Sequence, residues 1–175
     1  MDIIERYNRG EFYHLDSIKL DKTRAFLTDK GRKVYGGGGI MPDVFVPEDT
    51  TMVTSWYMAV NNAGLIQQHA FALADRYRPL MQGSKDTEQL LRILPSEGQL
   101  VEKFAEFAEK KGVPARWYYI NISAPLISRQ LKAFIVRDIM GYDQFYRIFN
   151  SGDKTIKAAL DVLEKGNIPR TTISM

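Results

Sequence analysis

The hydrophobic pattern changes its period near residue 49, and this change constrains the fold more than any other feature of the sequence. Upstream, apolar and polar side chains alternate over residues 12–19, and a second β-type run at residues 43–46 is closed by Pro47. Such runs are typical of strands. Downstream, apolar residues recur every three to four positions, as on one face of a helix. The pattern predicts an α+β fold that is mainly α, with a β arm over residues 1–50 and a helical domain over residues 51–175.

Capping signals mark several helix ends. Ser96 and Gln99 have the spacing of a capping box and predict a helix that runs to Lys111. Ser123 as an N-cap with Pro125 in the first turn predicts a longer helix that ends at Gly141. The aromatic run just before it, residues 117–120, is a short strand or a buried linker. The pattern also predicts four further helices, at residues 49–60, 65–81, 145–149 and 153–165.

The apolar faces of these helices predict one compact core, with the aromatic residues serving as packing groups. Aromatic side chains cluster at residues 56–57, 117–119 and 142–149, and the sequence shows no polar groups converging on them. We therefore expect them to supply buried area and not a ligand groove. The residues expected at the centre of the core are Trp56, Leu73, Phe104, Phe107, Leu131, Phe134, Ile135 and Leu160.

Composition excludes several classes of function. The formal net charge is +3, and the basic excess lies in the last third without a run of adjacent cations. This distribution favours a solvated helix face over a nucleic-acid surface, so we expect no nucleic-acid partner. No stretch approaches the roughly 20 consecutive apolar residues of a membrane span. The absence of cysteine excludes disulfides, thiolate metal sites and a cysteine nucleophile.

The other candidate sites in the sequence are explained better by structural roles than by binding or catalysis. The four glycines at 36–39 are followed by Ile-Met-Pro, whereas a phosphate loop requires Gly-Lys-Ser/Thr, so they indicate a tight turn or close packing. His14 and His69 lack partners with metal-ligand spacing, and we expect neither a metal site nor a cofactor. The Ser-x-x-Lys sequence at residues 151–154 is a chance match, and Ser151 or Asp153 is expected to cap the following helix.

Residues 28–47 combine a threonine, a Gly-Arg pair, a run of four glycines and a Pro-Asp pair within twenty positions. The positions are Thr28, Gly31, Arg32, Gly36, Gly37, Gly38, Gly39, Ile40, Pro42 and Asp43. This pattern resembles the Thr-x-x-Gly-Arg, glycine-rich, Ile-x-Pro-Asp segment of the carboxy-terminal processing (tail-specific) serine peptidases. Residues 12–26 are similar to the Bacteroidetes-type members of that family. The helical remainder resembles the C-terminal extension of the same members.

The resemblance implies a parent serine endopeptidase with a serine nucleophile and a lysine general base, usually with a PDZ-like domain that recognises the C-terminus of the substrate. In the family both catalytic residues precede the glycine-rich segment, so none is expected in this chain. The chain is then the C-terminal part of such an enzyme and is inactive alone. The β arm is the end of the peptidase core. The resemblance also implies that the parent is located in the periplasm or the cell envelope.

The partners that the resemblance implies are the upstream peptidase core and the protein or peptide substrates of the parent. Without that core, the β arm is expected to pair with a second copy of the chain and form a homodimer. An alternative function is an independent helical binding or scaffolding domain with a β arm. That alternative does not explain why the first fifty residues resemble sheet edges without partner strands.

Overall fold

The structure is a computed structural model that describes residues 3–14, 17–18, 23–29, 31, 33–35, 42, 44–81, 83 and 86–166. The chain divides into two compact units. The first comprises residues 1–49 and 154–175, and the second comprises residues 50–153. The described part is mainly helical and contains one small antiparallel sheet, which confirms the predicted fold class.

The first unit contains helix α1 (Ile3–Asn8), strands β1 (Ala25–Leu27) and β2 (Lys33–Tyr35), and helix α8 (Lys154–Lys165). The strands pair antiparallel, with Phe26 opposite Val34 at the centre of the register. They form a hairpin, and Thr28, Asp29 and Gly31 are the described residues between the two strands.

The strand predicted over residues 12–19 is wrong for the residues described there. The backbone N–H groups of Tyr13 and His14 both donate to the Gly10 carbonyl, at 3.0 Å each, so the chain turns directly after α1. Residues 44–46 are also outside any strand, whereas residues 15, 16, 19 and 43 lie outside the described part. Alternation over so few residues is a local pattern, and local hydrogen bonds to Gly10 prevail over it.

The second unit is a bundle of helices around one long central helix. Its helix α6 packs against α2, α3, α4, α5 and α7. None of the helices that the structure describes combines the length and apolar character that crossing a lipid bilayer requires. The helices are α2 (Ser55–Asn62), α3 (Leu65–Tyr77), α4 (Thr87–Ile93), α5 (Glu97–Lys110), α6 (Trp117–Met140) and α7 (Tyr142–Phe149), with 3₁₀ turns at Arg78–Met81 and Asn150–Gly152.

The capping box of α5 is confirmed. The backbone N–H of Gln99 donates to Ser96 Oγ at 3.4 Å, and the Ser96 N–H donates to Gln99 Oε1 at 3.1 Å. The first helix of the bundle, in contrast, is capped by Thr54 and not by Asp49 or Thr50, because Thr54 Oγ1 accepts the N–H of Tyr57 at 3.2 Å. The sequence pattern did not predict helix α4.

Helix α6 begins at Trp117, six residues before the predicted cap. Residues 117–120 are therefore helical, and Ser123 is a fully buried residue in the helix interior. Pro125 also lies inside the helix. A proline there removes one backbone donor, but the buried Ile120 and Ile127 on either side anchor both halves of the helix in the core. The helix ends at Gly141, as predicted, where φ is +97°.

The core lies along α6 and is closed by α2, α3, α4 and α5. Trp56, Phe104, Leu131 and Ile135 are buried as predicted, and Leu73, Phe107 and Phe134 are partly buried and pack against the core. Leu160 is the wrong member of the predicted set. It is 53% exposed, because it lies on α8, which belongs to the first unit and contributes no buried residue.

Candidate functional site

The described motif residues lie at and beyond the turn of the hairpin. Thr28 directly follows β1, and its carbonyl accepts the backbone N–H of Gly31 at 2.8 Å. Gly31 has a φ of +75°, a conformation that favours glycine. The Thr-x-x-Gly part of the motif is thus a tight turn, and Pro42 is exposed further along the chain. The other motif positions lie outside the described residues; they are Arg32, Gly36, Gly37, Gly38, Gly39, Ile40 and Asp43.

The first strand of the hairpin that carries this turn exposes its apolar side chains. Phe26 is 60% exposed and Leu27 is 74% exposed. A two-stranded sheet of three-residue strands is marginal in water unless another layer packs against it. Lys33 Nζ lies 5.5 Å from the Tyr35 ring, which gives the second strand one local contact.

The end of α1 carries a buried carboxylate that sequence reasoning missed. Glu11 is only 4% exposed and accepts from Arg6 Nε at 2.8 Å and from Arg9 Nη2 at 2.6 Å. The hydrogen bond from Arg6 is the main cause that lowers the pKa of Glu11. Beside it, a hydrogen bond with Tyr7 raises the pKa of Tyr13 to about 12. These contacts stabilise the turn after α1 and offer no open position for a ligand. In the sequence, the only indication of this buried carboxylate is a glutamate that follows two arginines closely.

A larger concave feature lies inside the second unit. It is a cleft of about 690 Å³ lined by α4, the start of α5, α6 and α7. Helix α6 contributes Pro125, Arg129 and Lys132, whose spacing of four and three residues places them on one helix face. Helix α7 contributes Arg147 and Ile148 from adjacent positions. We call this feature the α4–α7 cleft.

Two side-chain pairs connect the helices that line the α4–α7 cleft. Lys132 Nζ donates to Glu97 Oε1 at 2.7 Å, and this bond lowers the pKa of Glu97. Gln144 Oε1 accepts from Thr87 Oγ1 at 3.1 Å and from Arg147 Nη1 at 3.3 Å. These contacts connect α4 to α7 and α5 to α6, so the cleft is a preformed part of the bundle.

Arg129 differs from its neighbours in the cleft. It is half-buried, and it makes no hydrogen bond or ion pair within the described part of the chain. Its guanidinium lies so close to Gly152 that a Cβ built on that glycine would overlap it. A side chain at position 152 would therefore displace the guanidinium from its present position.

The two histidines differ in their exposure to solvent. His69 is half-buried, with its ring 4.9 Å from Phe107 and 5.7 Å from Phe104, and its buried Nε2 has no hydrogen-bond partner among the residues that the structure describes. Burial lowers the pKa of His69. His14 is exposed. Among the residues that the structure describes, no group of three or more acidic or histidine side chains could hold a metal ion.

Of the two residues predicted to cap the last helix, Ser151 does not cap it. Its hydroxyl donates back to the Ile148 carbonyl at 2.7 Å, because the 3₁₀ turn places it behind the end of α7. Helix α8 begins at Lys154, which leaves Asp153 in the position that precedes the helix. Lys154 Nζ pairs with Asp49 Oδ2 at 2.5 Å within the first unit.

The comparisons with known proteins bear on the helical unit. Neither the curated proteins nor the solved structures contain a match to the chain. Residues 56–141 match a family of unknown function (DUF8443), which is 86 of 175 residues and just under half of the chain. The match runs from α2 to the end of α6 and includes neither the hairpin nor the glycine-rich motif.

Proposed function

We propose that this chain is the C-terminal part of a carboxy-terminal processing serine endopeptidase, in which the bundle of α2 to α7 is a structural extension. The observation that carries the proposal is the motif at positions 28–43. Its first part, from Thr28 to Gly31, forms the tight turn of a β-hairpin, which is compatible with the edge of an enzyme core. The parent acts on protein or peptide substrates in the periplasm or cell envelope.

The exposure of the hairpin supports this proposal. The three residues of β1 are all exposed, and three-residue strands in a sheet of two cannot bury a core of their own. Additional strands from an upstream peptidase core would pair with the open edges and cover Phe26 and Leu27. The upstream core is therefore the first partner of this chain.

The chemistry of the described residues supports a role outside catalysis. A serine nucleophile requires a general base within hydrogen-bond reach, and a lysine serves as that base only when its environment lowers its pKa. Among the described residues, no serine hydroxyl bonds to a lysine amine. The buried Ser123 is engaged by Met52 and Thr54, and Ser151 is engaged by Ile148.

Cleavage assays test the proposal. The purified chain is incubated with casein and with an unstructured peptide, and we expect no cleavage above buffer. The product of the complete reading frame is expected to cleave both, and to lose this activity when the upstream serine or the upstream lysine is replaced by alanine. A reading frame without such a pair, or serine-dependent cleavage by the 175-residue chain alone, would contradict the proposal.

A second candidate is an independent helical binding domain. Two observations favour it: the second unit has a core of its own, and the family match falls inside that unit. Occurrence of the helical segment in reading frames without a peptidase core would support this candidate. Consistent linkage to a core with the serine and lysine would instead support the peptidase extension.

A further inference from the structure

We propose that the α4–α7 cleft is a binding site for an organic carboxylate with an apolar body, and that Arg129 and Arg147 hold the carboxylate. This inference goes beyond the proposed function and does not depend on it. All residues that carry it belong to the second unit, so it rests on geometry within one compact body.

Arg129 is a partly buried cation without a charged or hydrogen-bonding partner among the described residues. A guanidinium removed partly from water loses hydration, and this loss is normally offset by an ion pair or hydrogen bonds. Lys132, on the same face of α6, has such a partner in Glu97. Arg129 has none within the described residues, although it lines the cleft. An anion bound in the cleft would supply the missing partner.

Arg147 offers a second guanidinium to a ligand in the cleft. It lines the same cleft from α7, and its one polar contact within the described part of the chain is the 3.3 Å bond from Nη1 to Gln144 Oε1. A guanidinium has five N–H donors, so most of those on Arg147 remain available. Two arginines on facing helices provide the planar, forked donors that bind carboxylates well.

The volume, apolar surface and charge of the cleft define the class of ligand. A volume of about 690 Å³ is within the range of small-molecule sites and exceeds the size of an inorganic anion. Leu91, Pro125 and Ile148 supply apolar surface for the body of the ligand. The three cations of the lining are balanced by three acidic residues, namely Glu88 on α4, Glu97 on α5 and Asp86 just before α4, so a monoanion is favoured over a phosphate dianion or a nucleic acid. The chemistry common to these requirements is a monocarboxylate attached to an apolar group.

Gly152 offers a variant that moves Arg129 without changing any charge. Its φ is not positive, so its backbone does not itself require glycine. A methyl group at this position would overlap the Arg129 guanidinium and displace it. Gly152→Ala therefore separates the placement of the cation from its presence.

Calorimetric titration of the whole 175-residue chain tests the proposal. The probes are octanoate and N-acetylleucine, which distinguish an acyl chain from a peptide-derived group, together with octanamide and octyl phosphate. We expect one or both carboxylates to bind, and octanamide and octyl phosphate to bind at least about tenfold more weakly, since a charge-assisted hydrogen bond contributes roughly this factor.

The variants locate the site. Arg129→Gln and Arg147→Gln are each expected to weaken carboxylate binding about tenfold, and Gly152→Ala about threefold or more. Arg116→Gln, which removes an exposed arginine outside the cleft, is the matched control and is expected to bind as the unchanged chain does. Circular dichroism confirms that each variant is folded, and Arg147→Gln keeps the test valid if Arg129→Gln fails to fold.

Three results would overturn the proposal. The first is no binding of either carboxylate at millimolar concentration. The second is equal affinity for octanoate and octanamide, or higher affinity for octyl phosphate. The third is unchanged carboxylate affinity in the folded Arg129→Gln and Arg147→Gln variants.

Discussion

Buried polar side chains of α6 form hydrogen bonds with residues at and just before the start of α2. Ser123 Oγ donates to the Met52 carbonyl at 2.7 Å and lies 2.8 Å from Thr54 Oγ1, while Gln130 Nε2 donates to the Tyr57 hydroxyl at 2.8 Å. These bonds connect α6 to the start of α2. Buried polar groups contribute to stability only when they are paired, so each of these positions is sensitive to substitution.

We expect Ser123→Ala to destabilise the chain by about 1 to 3 kcal/mol, because the partly buried carbonyl of Met52 loses its donor. The free energy of unfolding in urea measures this effect. Ser55→Ala, the same change at an exposed position of α2, serves as the control. Equal stability of the two variants would show that the hydroxyl of Ser123 makes no net contribution.

His69 makes stability depend on pH. The unfolded chain has an ordinary histidine pKa of about 6.5, and burial lowers the pKa of His69 in the folded state. Between the two values the unfolded state binds more protons, so the contribution of His69 is complete above about pH 6.5 and is lost as the pH falls through the folded pKa.

We expect His69→Gln to reduce the loss of stability between pH 8 and pH 5, as measured by urea unfolding at each pH. His14→Gln, at an exposed histidine, controls for the removal of one titrating group. If the two variants show the same pH dependence as the unchanged chain, the buried histidine is not responsible for it.

Helix α6 is the element on which the second unit depends. It packs against five other helices, and its length runs through a proline without a break. The sequence predicted its end at Gly141, because a terminal glycine is a local signal. Its start at Trp117 was missed, because the Ser-x-Pro sequence resembles a helix start and only burial of both flanks shows that the helix continues.

We expect Leu131→Ala to cost about 2 to 5 kcal/mol of stability, because Leu131 is fully buried at the centre of α6 and its truncation leaves a cavity. Leu80→Ala is the matched control, since Leu80 is 63% exposed. Chemical denaturation of both variants gives the comparison. A small effect at Leu131 would mean that the bundle collapses around the cavity or that the core lies elsewhere.

At the scale of the whole molecule, the two units differ in how well they bury apolar surface. The second unit has a continuous core. In the first unit, β1 is fully exposed and the described helices α1 and α8 contain no buried residue. Exposed strand edges with apolar side chains recruit partners. The first unit is therefore the place where association with another chain is expected.

We expect the 175-residue chain to dimerise through the β arm when no peptidase core is present. Light scattering at high concentration compares it with a version beginning at Asp49, which lacks the arm. A dimer that disappears on removal of the arm agrees with this prediction. Two monomers, or a dimer that survives the removal, would show that the arm does not mediate association.

The sequence by itself determined the features that depend on neighbouring residues. The class of fold, the capping box of α5, and the glycine end of α6 all rest on local periodicity and local hydrogen bonds. The tertiary structure alone decided that Leu160 is exposed and that a cleft exists. The lining of the α4–α7 cleft comes from four helices separated by up to about sixty residues, and only the packing of those helices brings Arg129, Arg147 and Gly152 together.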